Sequence, residues 1–198
     1  MNETPVRRRL CLLPPLLALA AACSGASADP PLKGARIGGP FALTAGDGRT
    51  VRDADFAGKY PLVYFGYTHC PDVCPNDLAN IGQAMRRLEK SDPGLAARLQ
   101  PLFVTVDPER DTPAVMKDYT SAFHPRLLGL TGTPQQIAAV EKEFAVWSQK
   151  QAPQPGGGYA VDHSRMTILM GPKGEPLALL PAEQGPEALL TELRKWAK

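Results

Sequence analysis

Cys70 and Cys74 stand four residues apart in the segment THCPDVCP. Paired thiols can exchange disulfides, act as nucleophiles or hold a soft metal ion. Within a helical turn that spacing places both sulfurs on one face, close enough to share a ligand or to bond to each other. A position at a helix N-terminus predicts a thiolate pKa below the free value of ~8.5, because the dipole and the unpaired N–H groups favour negative charge. A plain stabilising disulfide is the competing structural reading for such a pair in an exported protein. The nitrogen donors available to join the sulfurs are His69, His124 and His163.

These residues need a scaffold, and the hydrophobic pattern predicts one. Phe41–Leu43 and Thr50–Val51 flank Asp47 and Gly48, a tight-turn pair, so the domain opens with a β-hairpin. PLVYFGY is an apolar run suited to a strand buried on both faces, and the cysteine motif follows it directly. Leu78, Ile81, Met85 and Leu88 then carry helical spacing over Asn76–Lys90. PLFVTVD is a second buried strand, and Thr112 with Pro113 caps a helix to about Phe123. Leu127–Leu130 forms a short strand, and Thr133 with Pro134 opens a helix to about Trp147. QKQAPQPGGGYAVDHS shows no periodicity, and its PQPGGG stretch gives the histidine segment freedom to swing. RMTILM and LALLPA pair across the GPKGEP turn, and a helix from Pro186 to Trp196 closes the chain. The pattern is α/β with a mixed sheet, the cysteines falling at the carboxyl edge of the first core strand.

The chain of 198 residues has net charge +2. Removing Arg7, Arg8, Arg9 and Glu3 leaves 19 basic and 19 acidic residues, so no basic field remains to recruit nucleic acid. Those arginines precede an uncharged run from Leu10 to Cys23 that is too short to span a bilayer and is broken by Pro14 and Pro15, as in the apolar region of an export signal. Ala20, Ala21, Ala22 and Cys23 resemble a bacterial lipobox, although the usual Leu three places before the cysteine is replaced by Ala20. The expected organisation is a signal over residues 1–22, lipidation at Cys23, a flexible tether over 23–36 and one domain over 37–198. Ordinary cleavage and a retained anchor are the alternatives. A periplasmic location follows, where a thiol pair is oxidised unless a reductant or a metal protects it.

FGYTHCPDVCP, VDPERDTP and YAVDHSRMTILM, in this order, resemble the Sco/SenC family of copper proteins. The resemblance implies a thioredoxin-like fold and copper, as Cu(I) or Cu(II), held by Cys70, Cys74 and His163. Thiolates favour Cu(I) and imidazole accepts either state, and three ligands leave the ion exchangeable where a structural zinc site would normally have four. Asp72 and Asp162 flank the ligands and are candidates to orient His163 or to tune the charge of the site, with loop solvation as the plain alternative. His69 should point away, and His124 at a helix end is explained by that end. Asp107, Glu109, Arg110 and Asp111 match a family motif, and either an ion-paired turn or partner docking accounts for them. Tyr64, Phe65 and Tyr67 read as core and site wall.

The function implied is a metallochaperone that loads the CuA centre of cytochrome c oxidase, working with the oxidase subunit carrying that centre, a periplasmic copper donor, a thiol reductant and a membrane lipid anchor. The alternative is a thiol-disulfide reductase in which Cys70 and Cys74 form a redox-active catalytic pair acting on copper-site cysteines. A peroxidase of peroxiredoxin type fits poorly, because Thr68 stands two rather than three positions before Cys70.

Overall fold

The structure is a computed structural model that describes Met1, residues 28–154 and residues 156–198. Apart from Met1, the expected signal, the expected lipidation site Cys23 and the first part of the expected tether lie outside the described residues. Leu32 already packs on the body and donates its N–H to the Leu177 carbonyl, so contact with the domain begins ahead of Ile37.

The hairpin β1 (Ala42–Ala45) and β2 (Thr50–Arg52) forms as the turn chemistry predicts. The strands β3 (Tyr60–Gly66), β4 (Leu99–Thr105) and β5 (Leu128–Thr131) run parallel. β8 (Thr167–Met170) and β9 (Pro176–Leu180) complete a seven-stranded mixed sheet in the order β2-β1-β5-β4-β3-β8-β9. Strand alternation divides the core. Leu62 and Tyr64 of β3 point to the side covered by α1 (Val73–Ser91), α3 (Pro113–Ser121) and α5 (Pro186–Trp196). Val63 and Phe65 point to the side covered by α4 (Pro134–Glu143). Because both faces are covered, β3 is buried at every position and reads as an unbroken apolar run. This is a thioredoxin-like arrangement, as expected.

Several elements depart from the sequence reading. α1 begins at Val73 rather than Asn76, so Cys74 is its second residue and Cys70 lies in the turn before it. The two cysteines therefore do not share a helical turn. Pro71 disfavours helical backbone at the preceding residue, which keeps Cys70 out of the helix. A short helix absent from that reading, α2 (Pro93–Arg98), is capped by the Asp92 side chain, which accepts from Leu95 N–H at 2.9 Å. α4 stops at Glu143 instead of reaching Trp147, because Ala145 adopts a left-handed φ of 53° that ends the helix. Trp147 is consequently 55% exposed. The stretch without periodicity holds a ribbon, β6 (Ser148–Lys150) paired with β7 (Val161–His163) and apart from the main sheet.

Candidate metal centre

β3 ends at Gly66, and the chain turns through Thr68 and Cys70 into α1. β8 pairs antiparallel with β3, Thr167 opposite Tyr64, so the chain enters β8 at the edge where β3 ends. That topology brings His163 to the cysteines across 89 residues of sequence. The Cys70 and Cys74 sulfurs and a His163 ring nitrogen all lie within 4.8 Å of one another. Among the described residues no other cluster of His, Cys, Asp and Glu reaches this density. Two metal–ligand bonds of ~2.0–2.3 Å subtend at most ~4.6 Å, so one ion fits with small adjustments. No disulfide joins the two cysteines.

The imidazole is oriented by a backbone carbonyl. His163 Nδ1–H donates to the Ser164 carbonyl at 3.1 Å, which leaves the Nε2 lone pair facing the Cys74 thiol at 3.4 Å. Burial lowers the His163 pKa, holding the ring neutral and ready to ligate. Tyr67 stacks edge-on to it, with ring centroids 5.9 Å apart, and forms the wall the sequence suggested. Neither neighbouring carboxylate hydrogen-bonds the His163 ring, while the Asp162 charge acts on its pKa against the dominant effect of burial. Asp162 accepts from Gln151 Nε2 at 2.7 Å, and Asp72 accepts from Asn76 Nδ2 at 3.1 Å.

The expected low thiolate pKa is also corrected at Cys74. Its side chain is fully buried, and desolvation pushes the thiol up to about 12, outweighing its place in the first turn of α1. Cys70 is less buried than Cys74.

The VDPERD turn proves structural as well as adjacent. Asp111 is fully buried and accepts from Thr68 N–H (3.0 Å), Thr68 Oγ1 (2.6 Å) and Thr105 Oγ1 (2.6 Å), tying the cysteine turn to β4. Asp107 pairs with Arg110 and accepts from the Tyr159 hydroxyl at 2.8 Å. The Arg110 guanidinium (3.7 Å) and the Lys150 ammonium (4.0 Å) both lie over the Tyr159 ring, and Lys150 pairs with Glu109 at 2.5 Å. These contacts hold the ribbon against the domain, so the histidine segment is anchored rather than free. Its three glycines at 156–158 have positive φ and close the ribbon's tip.

His69 is exposed, 3.1 Å from Thr68 Oγ1, and takes no part in the cluster. His124 is buried, with Nδ1 accepting from Arg126 N–H at 3.2 Å and Nε2 3.4 Å from Glu89. Burial lowers its pKa, so it sits as a neutral packed ring and not as a cation at the end of α3.

Gly66 shows how closely the strand end approaches the thiol. A Cβ there would lie 2.7 Å from Cys74 Sγ and 3.0 Å from Phe103 Cε2. Gly66→Ala is expected to displace the sulfur, cost about 1–3 kcal/mol of stability and weaken metal binding. Denaturant unfolding and a metal competition titration check this; unchanged values in both would show that the strand end tolerates the methyl group.

The SCO1/SenC family profile matches residues 29–198. The chain belongs to the SCO1/SenC family. It is 48% identical over 144 residues to the mitochondrial protein SCO2 homolog of Bos taurus, covering 72% of this chain and 53% of that protein. The chain spans about half the length of the curated relatives it matches. Among solved structures, Bradyrhizobium japonicum ScoI with copper bound superposes with a TM-score of 0.73 at 41% identity, covering 81% of this chain and 99% of that one. Yeast Sco1 with copper bound gives a TM-score of 0.72 at 37% identity, covering 80% and 87% respectively. The SCO1/SenC architecture places all three predicted ligands at one edge. Tyr159 and Ser164, which bond Asp107 and His163 respectively, were not singled out from sequence, and neither was Asp77, which bonds Arg165. Asp77 carried a signal: it lies three residues after Cys74 on the buried face of α1, where an acidic side chain needs a partner.

Proposed function

We propose that this SCO1/SenC protein carries one copper ion on Cys70, Cys74 and His163 and delivers it during assembly of the CuA centre of cytochrome c oxidase. The observation that carries the reading is the mutual approach of two thiols and one neutral imidazole within 4.8 Å. Two soft sulfurs suit Cu(I), the nitrogen allows Cu(II), and partly exposed Cys70 offers a route for ligand exchange with an acceptor. The copper-bound structures of relatives at 37–41% identity support the same cargo. The acceptor would be the oxidase subunit bearing CuA, with a copper donor and a thiol reductant upstream. A periplasmic setting with a lipid anchor at Cys23 belongs to this proposal; no helix among the described residues is long and apolar enough to cross a membrane.

A second reading rests on the free thiols. Cys70 is accessible and close to Cys74, so the pair could reduce a disulfide on an acceptor and become oxidised in turn. Both activities can share the site.

Thermal unfolding with Cu(I) under reducing conditions tests the carrier reading. Cu(I) at a thousand times its dissociation constant should add ~4 kcal/mol, and an unchanged midpoint would overturn the assignment. The same titration reads pH. Because burial holds Cys74 protonated up to about 12, copper must displace that proton at neutral pH. Affinity should therefore rise with pH, roughly tenfold per unit for each proton released. Loss of affinity with rising pH across pH 6–8 would contradict thiol ligation by this residue.

A further inference from the structure

An ion pair ties together the two segments that carry the ligands. Arg165 Nε donates to Asp77 Oδ2 at 2.8 Å, and its Nη2 donates to Oδ1 at 2.6 Å. The Tyr64 hydroxyl donates to the same Oδ2 at 3.0 Å. Asp77 follows Cys74 by three residues and shares its face of α1. Arg165 follows His163 by two residues, in the stretch between β7 and β8 that belongs to neither strand. The pair thus spans the site within one helical turn of Cys74 and two residues of His163. A guanidinium that engages both carboxylate oxygens fixes orientation as well as distance, which an ammonium cannot do. The Asp77 side chain is only 2% exposed, so Arg165 cannot leave without stranding a buried charge.

The Arg165 side chain is itself 40% exposed, so solvent screens the attraction and the pair contributes little net stability. Its effect here is geometric. Resting on the copper-carrier reading, we propose that Asp77 and Arg165 are positioning residues: their two-pronged contact holds the His163 imidazole over Cys74 and slows release of a thiophilic ion. Movement of His163 away from the thiols pulls on Arg165, so the imidazole departs only when the pair opens. The Tyr159 contacts anchor the outer part of the ribbon, while Arg165 anchors its return to the sheet.

Three variants of the full domain separate this role from plain stability. Arg165→Gln breaks the contact, Asp77→Asn with Arg165→Gln removes both charges so that no buried carboxylate is stranded, and Arg165→Lys keeps the charge without the fork. In the metal-free protein, amide hydrogen exchange at residues 161–166 should be about tenfold faster in the double variant, with β3 and β4 unchanged. In the copper-loaded protein, Cu(I) transfer to a competing chelator should also be ~10-fold faster, as for the loss of an outer partner of a ligand, with Arg165→Lys intermediate. The thiolate-to-Cu(II) absorption band should shift in both Gln-containing variants. Exchange at 161–166 unchanged, or raised equally throughout the sheet, would overturn the positioning role. A chain that fails to bind copper but shows the localised exchange would refute the carrier reading and leave the positioning role standing.

Discussion

Replacing His163 with alanine is expected to lower copper affinity by ~100-fold or more, beyond the 10–100-fold range seen when only an outer partner of a ligand is lost. His163 supplies the sole nitrogen of the cluster, and neither remaining histidine can replace it. His69 lies outside the cluster beside Thr68, and His124 is committed to Arg126 and faces Glu89. Cu(I) can persist on two thiolates, whereas Cu(II) loses its one borderline donor, so the effect should be larger for the oxidised ion. The thiol pair should still exchange disulfides, because that chemistry needs only sulfur. Competition titrations with each oxidation state and a disulfide-exchange assay on the same preparation measure these effects. Affinity equal to that of the unmodified chain would remove His163 from the ligand set. In cells, loss of oxidase assembly in this variant favours the carrier, and retained assembly favours the reductase.

The convergence of Cys70, Cys74 and His163 was legible in sequence through local signals and the family resemblance: two cysteines after a buried strand, and a histidine in a recognisable motif before another strand. The same holds for β3, whose unbroken apolar run follows from burial on both faces, and for α5, whose Pro186 start and Trp196 end were both expected. What escaped depends on contacts between distant segments. The β6–β7 ribbon has exposed residues on both strands and little alternation to reveal it; pairing of Ser148 with His163 and the Tyr159 contacts define it. The end of α4 hinges on a left-handed Ala145, a conformation that alanine does not advertise. At Cys74 two opposing effects act, and only the full burial of the side chain shows that desolvation exceeds the pull of the helix N-terminus. Asp111 illustrates the same limit from the other direction. From sequence an ion-paired turn and partner docking account for it equally, yet its hydrogen-bond partners are Thr68 and Thr105, on segments 43 and 6 residues away.

Asp111→Ala should accordingly be the most destabilising single change near the site that leaves every ligand in place. The carboxylate accepts three hydrogen bonds in a fully buried position, and alanine leaves the Thr68 N–H and both threonine hydroxyls to find other acceptors. Removing the shared acceptor of buried donors costs about 1–3 kcal/mol for each donor left unpaired, and a loss of ~3 kcal/mol overall allows the hydroxyls to rotate toward other partners. In a domain of this size that corresponds to a fall of ~6–12 °C in Tm. The change should also loosen the turn from Thr68 to Cys70, since Thr68 is held to β4 through this one side chain. Copper affinity should drop even at temperatures where the variant is fully folded, because Cys70 loses its fixed approach to Cys74 while the His163 ribbon keeps its own anchors. Asp111→Asn provides the control: its carbonyl oxygen can still accept, so part of the stability should return. Calorimetry together with copper titration well below the midpoint measures the two effects separately. A variant with native Tm and native affinity would mean that the Thr68 turn is held in place by the strand and helix on either side of it, with no contribution from the buried carboxylate.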